Sequence, residues 1–376
     1  MKVLMLTGSY RPEVGGIAEV MSGFAAALVQ RGLQVNVLAA TPGASRFSTA
    51  SLPVTEFELP ARGYSKRVLQ CRRAVSSLLR QSSFDRVIAS SWSPFAVSIP
   101  GRLKRRTPAL DIFCHGMDLL EPSSSLRYRM LMRRTLQRAD KILANSHYTA
   151  KLAQAMGAKD GDVVVMHPGV DSKTFTPGTS NPTLLARHEI PPNAPVLLSV
   201  GRLVERKGFD MVIRALPMVQ RAHPSVVYLI VGDGPDRERL SDLAKSMGVS
   251  QNVRFTGNIP AAERVAYYQL ATLFVMPNRL IPENGDVEGF GVVFLEAAAC
   301  ELPSVGGDSG GVPDAIQNGV TGFLVDPLNP KDCAEKISLL LGDEETRKKM
   351  GKVARARVRT EFNWPDLVTA YLSQLS

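Results

Sequence analysis

The sequence contains no apolar run approaching the ~20 residues that a bilayer-spanning helix needs. Its opening, MKVLMLTGSYRPEVGG, has too short an apolar stretch for a secretory signal and turns at once into a glycine loop. A cytoplasmic protein is therefore expected. Cysteine is scarce. Cys71, Cys114, Cys300 and Cys333 form neither a C-x-x-C pair nor a cysteine–histidine cluster, which argues against a zinc site and a disulfide framework. They read as small buried side chains. Aromatic residues make up only 6%, and no zinc-finger, RNA-binding or helix-turn-helix signature occurs, so a specific nucleic-acid partner is not expected. The glycine turn VGDGPDRERL (231–240) departs from G-x-G-x-x-G, so it is no nicotinamide fingerprint.

The 376 residues are 44% hydrophobic and 21% charged, the profile of a globular protein. At roughly 100–200 residues per domain they suggest two domains, each with its own core. The net charge of +10 is uneven. Residues 1–180 hold 24 Lys and Arg against 12 Asp and Glu, whereas residues 181–376 hold 21 against 23. A basic first half suits phosphates or an anionic membrane.

KVLMLTG (2–8) is a short apolar strand ending in a glycine loop, followed by an amphipathic helix to Gly32 and a second strand, VNVLAA (35–40). FDRVIAS (84–90), LDIFCHG (110–116), DKILANS (140–146) and VVVMHPGVD (163–171) continue the pattern of a doubly wound α/β domain. TPGTSNPT (176–183) reads as a linker. The pattern then restarts with APVLLSVGR (194–202), VVYLIVGDG (226–234), VRFTG (253–257) and TLFVMP (272–277). Two domains follow, 1–175 and 176–361, with a final helix near 362–376 able to return to the first. Ligands of such sheets bind beyond the carboxyl ends of the strands, which points to the cleft between the domains.

EGFGVVFLEA (288–297) holds two carboxylates eight positions apart. In one helix they would lie about 80° apart. If the helix instead begins near Gly291, Glu288 precedes it and Glu296 sits two turns in. The amides of Phe290, Gly291 and Val292 then stand at a phosphate-attracting helix start. One carboxylate can grip sugar hydroxyls, the other a ribose diol. The alternative is an ordinary helix N-terminus with one favourable acidic residue. In SVGRLVERKGFD (199–210), Arg202 and Lys207 span a strand-to-helix turn and together can neutralise a diphosphate; the alternative is a solvated turn.

VGGI (14–17), HGMD (115–118), VGRLVERKG (200–208), VGDGP (231–235), VRFTG (253–257) and EGFGVVFLEAAAC (288–300) resemble, in order and over nearly the whole chain, family 4 of the retaining glycosyltransferases. The resemblance implies the GT-B fold, two Rossmann-like doubly wound α/β domains facing each other across a cleft. The first domain would bind the acceptor and the second the nucleotide sugar. It implies catalytic roles for Arg202, Lys207, Glu288 and His115. Gly16, Arg202, Lys207, Gly234, Arg254, Phe290, Gly291, Val292 and Glu296 would bind the donor. Gly15, Ile17, His115 and Asp118 would lie on the acceptor side. For His115 the alternative is a hydrogen-bonded core histidine. No metal and no other cofactor is expected, and the acidic D-V-E (286–288) is read as coincidence rather than a metal motif.

ENGDVEGFGVVFLEA is similar to the phosphatidyl-inositol mannosyltransferases, which implies GDP-mannose as donor; a UDP-hexose (glucose or N-acetylglucosamine) is the alternative. Ala18 stands where inositol-lipid members often have glutamine, which turns the expected acceptor toward another lipid-linked or oligosaccharide hydroxyl.

Two basic helices bear on location. Tyr128, Leu131, Met132, Thr135 and Leu136 form a stripe flanked by Arg127, Arg129, Arg133, Arg134 and Arg138. Val68, Cys71, Val75, Leu78 and Leu79 lie opposite Lys66, Arg73 and Arg80, and RLKRR (102–106) adds a third cluster. They read either as a peripheral dock on an anionic membrane, the inner face of the plasma membrane, or as surface helices with core-facing stripes. Rival functions are a sugar-nucleotide epimerase of the same fold, a nonspecific nucleic-acid binder and an inactive scaffold. The G-R-L…K-G arrangement disfavours the first and the intact Arg202, Lys207, Glu288 and Glu296 the last.

Overall fold

Short runs of branched apolar residues alternate with helices along the chain, and nearly every run forms a parallel strand. A computed structural model describes residues 1–13, 15–60, 62–99, 108–120 and 125–375. The RLKRR cluster and Val14 lie outside the described residues. The chain divides into two compact units, Met1–Gly169 with Trp364–Ser376, and Val170–Asn363.

The first unit is built on strands β1 (Lys2–Thr7), β2 (Gln34–Ala39), β3 (Val54–Glu56), β4 (Arg86–Ala89), β5 (Ala109–Cys114), β6 (Lys141–Ala144) and β7 (Val163–Val165), in the order β3-β2-β1-β4-β5-β6-β7. The second uses β8 (Val196–Val200), β9 (Val227–Val231), β10 (Val253–Gly257), β11 (Leu273–Met276), β12 (Ser304–Gly307) and β13 (Gly322–Val325), in the order β10-β9-β8-β11-β12-β13. All named strand pairs are parallel. Helices cover both faces, so the central strands are mostly apolar; β8 and β9 are buried at every residue, Ser199 included. Strand order reverses between β1 and β4 in one sheet and between β8 and β11 in the other, which makes those carboxyl ends the ligand-binding positions.

β3, β12 and β13 are additions to the strands read from sequence. β3 has three residues, and β12 (SVGG) and β13 (GFLV) carry glycine, which weakens a strand signal. The division between the units also falls earlier than the linker suggested, at 169/170. TPGTSNPT is part of the second unit: Gln269 Nε2 donates to the Thr176 carbonyl at 2.9 Å, and Asn181 caps the helix Pro182–Arg187.

The helix Trp364–Ser373 belongs to the first unit. Its Trp364 indole occupies the space that a Cβ on Gly23 or Gly169 would need. Its Tyr371 donates to the carboxylate of Asp111 on β5, which also pairs with Arg86. Asp111 is fully buried, and burial pushes its carboxyl up to about 6 against the opposing effect of Arg86.

Both basic helices turn their stripes inward. Met132, Thr135 and Leu136 on Leu126–Arg138 are buried, as are Cys71 and Val75 on Tyr64–Gln81, and all but Thr135 join one core. Arg127, Arg129, Arg133 and Arg134 are exposed, whereas Arg138 donates to the Ala96 carbonyl at 2.7 Å. All four cysteines are buried and unpaired. Among the described residues no helix is long and apolar enough to cross a membrane.

Candidate active site

Two loops leave the carboxyl ends of β8 and β11, the strands flanking the switch point of the second sheet. The first, Gly201–Gly208, ends in Gly208 at φ +73, where a Cβ would stand 2.0 Å from the Pro277 carbonyl oxygen. Only glycine permits both that backbone angle and that approach. The second runs from Pro277 to Gly291 and leads into the helix Val292–Ala299. The helix start matches the expectation, with Glu288 before it and Glu296 within it. Gly291, at φ +91, precedes the first turn; the Phe294 amide donates to the Gly291 carbonyl at 3.0 Å, and the amides before it have no intrahelical partner.

Ion pairs join the two loops. Lys207 Nζ donates to Glu288 Oε2 at 2.5 Å, and Asn278 Nδ2 donates to the same oxygen at 3.0 Å. Arg206 reaches Asp286 at 3.2 Å. Thus both carboxylates of D-V-E face cations from the adjacent turn. Burial alone would raise the Glu288 carboxyl, but the charges of Lys207 and Arg206 and the Lys207 hydrogen bond outweigh it and hold it below the ordinary range. Arg202 differs: it is exposed, with no ion pair among the described residues. The turn therefore holds two cations paired with carboxylates, Lys207 and Arg206, and one open to solvent, Arg202.

Glu296 is 3% exposed. It accepts from Tyr268 Oη at 2.7 Å and pairs with Arg264 at 3.2 Å. Phe290 is buried, and Gly291 and Val292 form the helix entry. Gly234 lies after β9, where a Cβ would stand 2.4 Å from the Leu203 carbonyl oxygen, so its identity is set by packing against the Arg202 loop. Arg254 stands apart. It is the second residue of β10, far from that strand's carboxyl end, and its guanidinium donates to the carbonyls of His188 at 3.0 Å and Gln251 at 2.8 Å. In this structure the guanidinium braces the sheet edge.

In the first unit, Gly15, Gly16 and Ile17 begin the helix after β1. Gly16 and Ile17 are exposed, and a Cβ on either glycine would meet nothing within 4 Å. Ala18, by contrast, is 1% exposed and offers no surface to an acceptor. His115 follows β5, stacks on Phe113 at 5.9 Å and hydrogen-bonds the Ser90 backbone. Burial lowers its imidazole to about 4, so it is neutral at pH 7. Its Nε2 is buried without a hydrogen-bond partner. Asp118 Oδ1 accepts from the His115 amide at 2.8 Å and so shapes the turn.

Arg206, Asn278, Asp286, Arg264 and Tyr268 escaped the reading from sequence. Arg264 and Tyr268 are four apart on one helix, a spacing that puts both on one face, but nothing in sequence named Glu296 as what that face meets.

Replacing Lys207 by Met leaves the Glu288 carboxylate buried with a poorer set of partners. Breaking such a pair costs about 3–5 kcal/mol. Glu288 has a depressed folded pKa, so the stability it supplies exists above its unfolded pKa of ~4.3 and is lost as pH falls through the folded value. Denaturant titration of Lys207→Met should show the full deficit at pH 7 and a smaller one below about pH 4. An equal deficit at both would contradict the pairing.

Residues 14–174 match the model of Glycosyltransferase Family 4, and residues 180–357 match that of the glycosyl transferases group 1. The chain is 32% identical over 374 residues to the GDP-mannose-dependent alpha-(1-6)-phosphatidylinositol monomannoside mannosyltransferase of Mycolicibacterium smegmatis, covering 96% of this chain and 95% of that one. It is 30% identical over 370 residues to a GDP-mannose-dependent monoacylated alpha-(1-6)-phosphatidylinositol monomannoside mannosyltransferase of Corynebacterium glutamicum, covering 96% and 94%. Among solved structures, sucrose-phosphate synthase from Thermosynechococcus elongatus superposes with a TM-score of 0.82 at 21% identity, over 100% of this chain and 98% of that one. The fold is GT-B, and the chain belongs to glycosyltransferase family 4.

Proposed function

We propose that this glycosyltransferase moves mannose from GDP-mannose, with retention at the anomeric carbon and without a metal, to a hydroxyl of a lipid-linked mannoside of the phosphatidylinositol type. The observation that carries the reading is the turn holding exposed Arg202 and buried Lys207, with Lys207 paired to Glu288 just before the helix start at Val292. In this reading Arg202, Lys207 and the helix start together meet the charge of a diphosphate leaving group. The choice of mannose and guanine is supported by the relatives named for GDP-mannose.

In this reading Arg202 and Lys207 bind the diphosphate, together with the amides of Gly291 and Val292. Glu288 orients the sugar, and Glu296 accepts from the ribose diol; each carboxylate oxygen can take a second hydrogen bond beside those already made. The bond between C1 and the β-phosphate oxygen breaks, and its electron pair leaves with the diphosphate. The acceptor oxygen bonds to C1 on the same face. Its proton passes to an oxygen of the departing phosphate. His115, neutral and with Nε2 buried, shapes the turn after β5 on the acceptor side. Gly16 and Ile17 offer exposed surface to the ligand. The charge on the leaving group is balanced by Arg202 and Lys207, which is why no metal is invoked.

Arg202 provides a clean test, because its side chain holds nothing else in place. Arg202→Ala should leave unfolding stability within about 0.5 kcal/mol of the wild type while turnover with GDP-mannose falls by roughly 10²–10³, the cost of removing one charge-stabilising donor. Near-native turnover would sink the assignment.

A membrane acceptor calls for a membrane-facing surface. The inward stripes are core, so any dock uses the opposite faces. There Leu126 is 73% exposed and Met130 46%, with Arg127, Arg129, Arg133 and Arg134 around them; Leu69 is 48% exposed on the helix whose Tyr64 ring meets Tyr128 at 4.9 Å. Each basic residue near an anionic surface contributes about 1 kcal/mol. The protein should cosediment with vesicles rich in anionic lipid at low salt and not with neutral ones. Leu126→Asp with Met130→Asp should abolish cosedimentation; unchanged binding would overturn the dock.

A further inference from the structure

We infer that Arg279 is a positioning residue for the transfer reaction: through a buried, two-pronged pair with Asp210 it fixes the loop carrying Glu288 against the turn carrying Lys207. The inference rests on the donor-site reading above.

Arg279 is the third residue of the long loop after β11 and is 5% exposed. Its Nη1 donates to Asp210 Oδ1 at 2.9 Å and its Nη2 to Asp210 Oδ2 at 3.2 Å. Nη2 also reaches Glu205 Oε1 at 3.2 Å. Its backbone amide donates to the Arg206 carbonyl at 2.8 Å. Asp210 is 4% exposed and lies in the first turn of the helix Phe209–Val219, which begins right after Lys207 and Gly208. Arg239 approaches its other side at 3.9 Å. One residue of the β11 loop therefore grips the last residues of the β8 turn, Glu205 and Arg206, and the first turn of the helix that follows.

The geometry matters more than the charge. A point charge fixes a distance, but a guanidinium fork on a carboxylate also fixes an angle. The angle is needed because the loop between Arg279 and Glu288 is open to solvent at Leu280, Pro282, Glu283 and Asn284. Ile281 and Asp286 close it on itself, with the Ile281 amide donating to the Asp286 carbonyl at 2.9 Å. Within it Asp286 pairs with Arg206 at 3.2 Å, which ties the excursion to the same turn, and the Glu288 carbonyl accepts from the Gly311 amide at 2.9 Å. The start of the loop is set by Arg279 beside Asn278, whose side-chain amide donates to Glu288. Arg279 touches neither Lys207 nor Glu288 in any recorded hydrogen bond or ion pair, so its influence passes through the two loops.

A merely structural ion pair can be replaced by apolar groups of similar volume with little loss of stability. That separates the two roles. The single variant Arg279→Met should lose both stability and turnover. The double variant Arg279→Met with Asp210→Leu should recover an unfolding midpoint near the wild type. Its kcat with GDP-mannose should stay about tenfold to a hundredfold low, the scale of a misplacement near 1 Å, while KM changes only a few-fold. Recovery of kcat together with stability would overturn the inference. Should the double variant fail to fold, Arg279→Lys decides, because it keeps the charge and loses the fork. A kcat reduced about tenfold supports positioning, and a wild-type kcat refutes it. Lys207→Ala assayed alongside keeps the two readings apart: wild-type turnover there would remove the donor-site reading itself, whatever Arg279 does.

Discussion

The ion pair between Lys207 and Glu288 is the constraint on which the second unit's site depends. Two loops from adjacent strands must meet across the switch point of a parallel sheet, where no ladder hydrogen bonds continue. Opposite charges at 2.5 Å, with Asn278 as a second donor, hold them together. Gly208 makes the meeting sterically possible, since its missing Cβ lets the turn close on Pro277. Arg279 and Asp210 brace the same junction from beneath. The neighbouring Arg206 and Asp286 repeat the charge pattern one step away.

This arrangement also divides labour between the cations. Lys207 is neutralised in part by Glu288, so it is kept buried without the full cost of an isolated charge. Arg202 carries no such partner and stays in water. In the proposed reaction a diphosphate at the helix start would meet one solvent-exposed cation and one preorganised cation. Preorganised charge costs no rearrangement as the leaving group develops its own charge. In the first unit the opposite logic holds. His115 is kept neutral by burial, which suits it to hydrogen bonding rather than to charge stabilisation.

Much of this was legible in the sequence, for reasons that can be named. Central parallel strands such as VLLSV and VYLIV are buried on both faces, so they stand out as continuous apolar runs. Glu288 and Glu296 stood out because carboxylates are rare in apolar company, and the helix start between them follows from Gly291. Other features were hidden. β12 and β13 are interrupted by glycine. Arg279 and Asp210 lie 69 residues apart and become a pair only through the strand order. The contacts of Arg254 were also hidden, because a motif gives a residue's position in the chain but not its end of the strand. The arginine-flanked stripes were correctly periodic, but period alone cannot say whether an apolar face meets core or lipid. Here Met132 and Val75 answer for the core.

In the proposed reaction Arg202 and Lys207 receive the donor's diphosphate at the start of the helix Val292–Ala299. A crystal structure of the protein with GDP bound tests this most directly. The β-phosphate should lie within hydrogen-bonding distance, about 3 Å, of Arg202, Lys207 and the amides of Gly291 and Val292, with the ribose hydroxyls on Glu296. A diphosphate bound with neither Arg202 nor Lys207 in contact would contradict it.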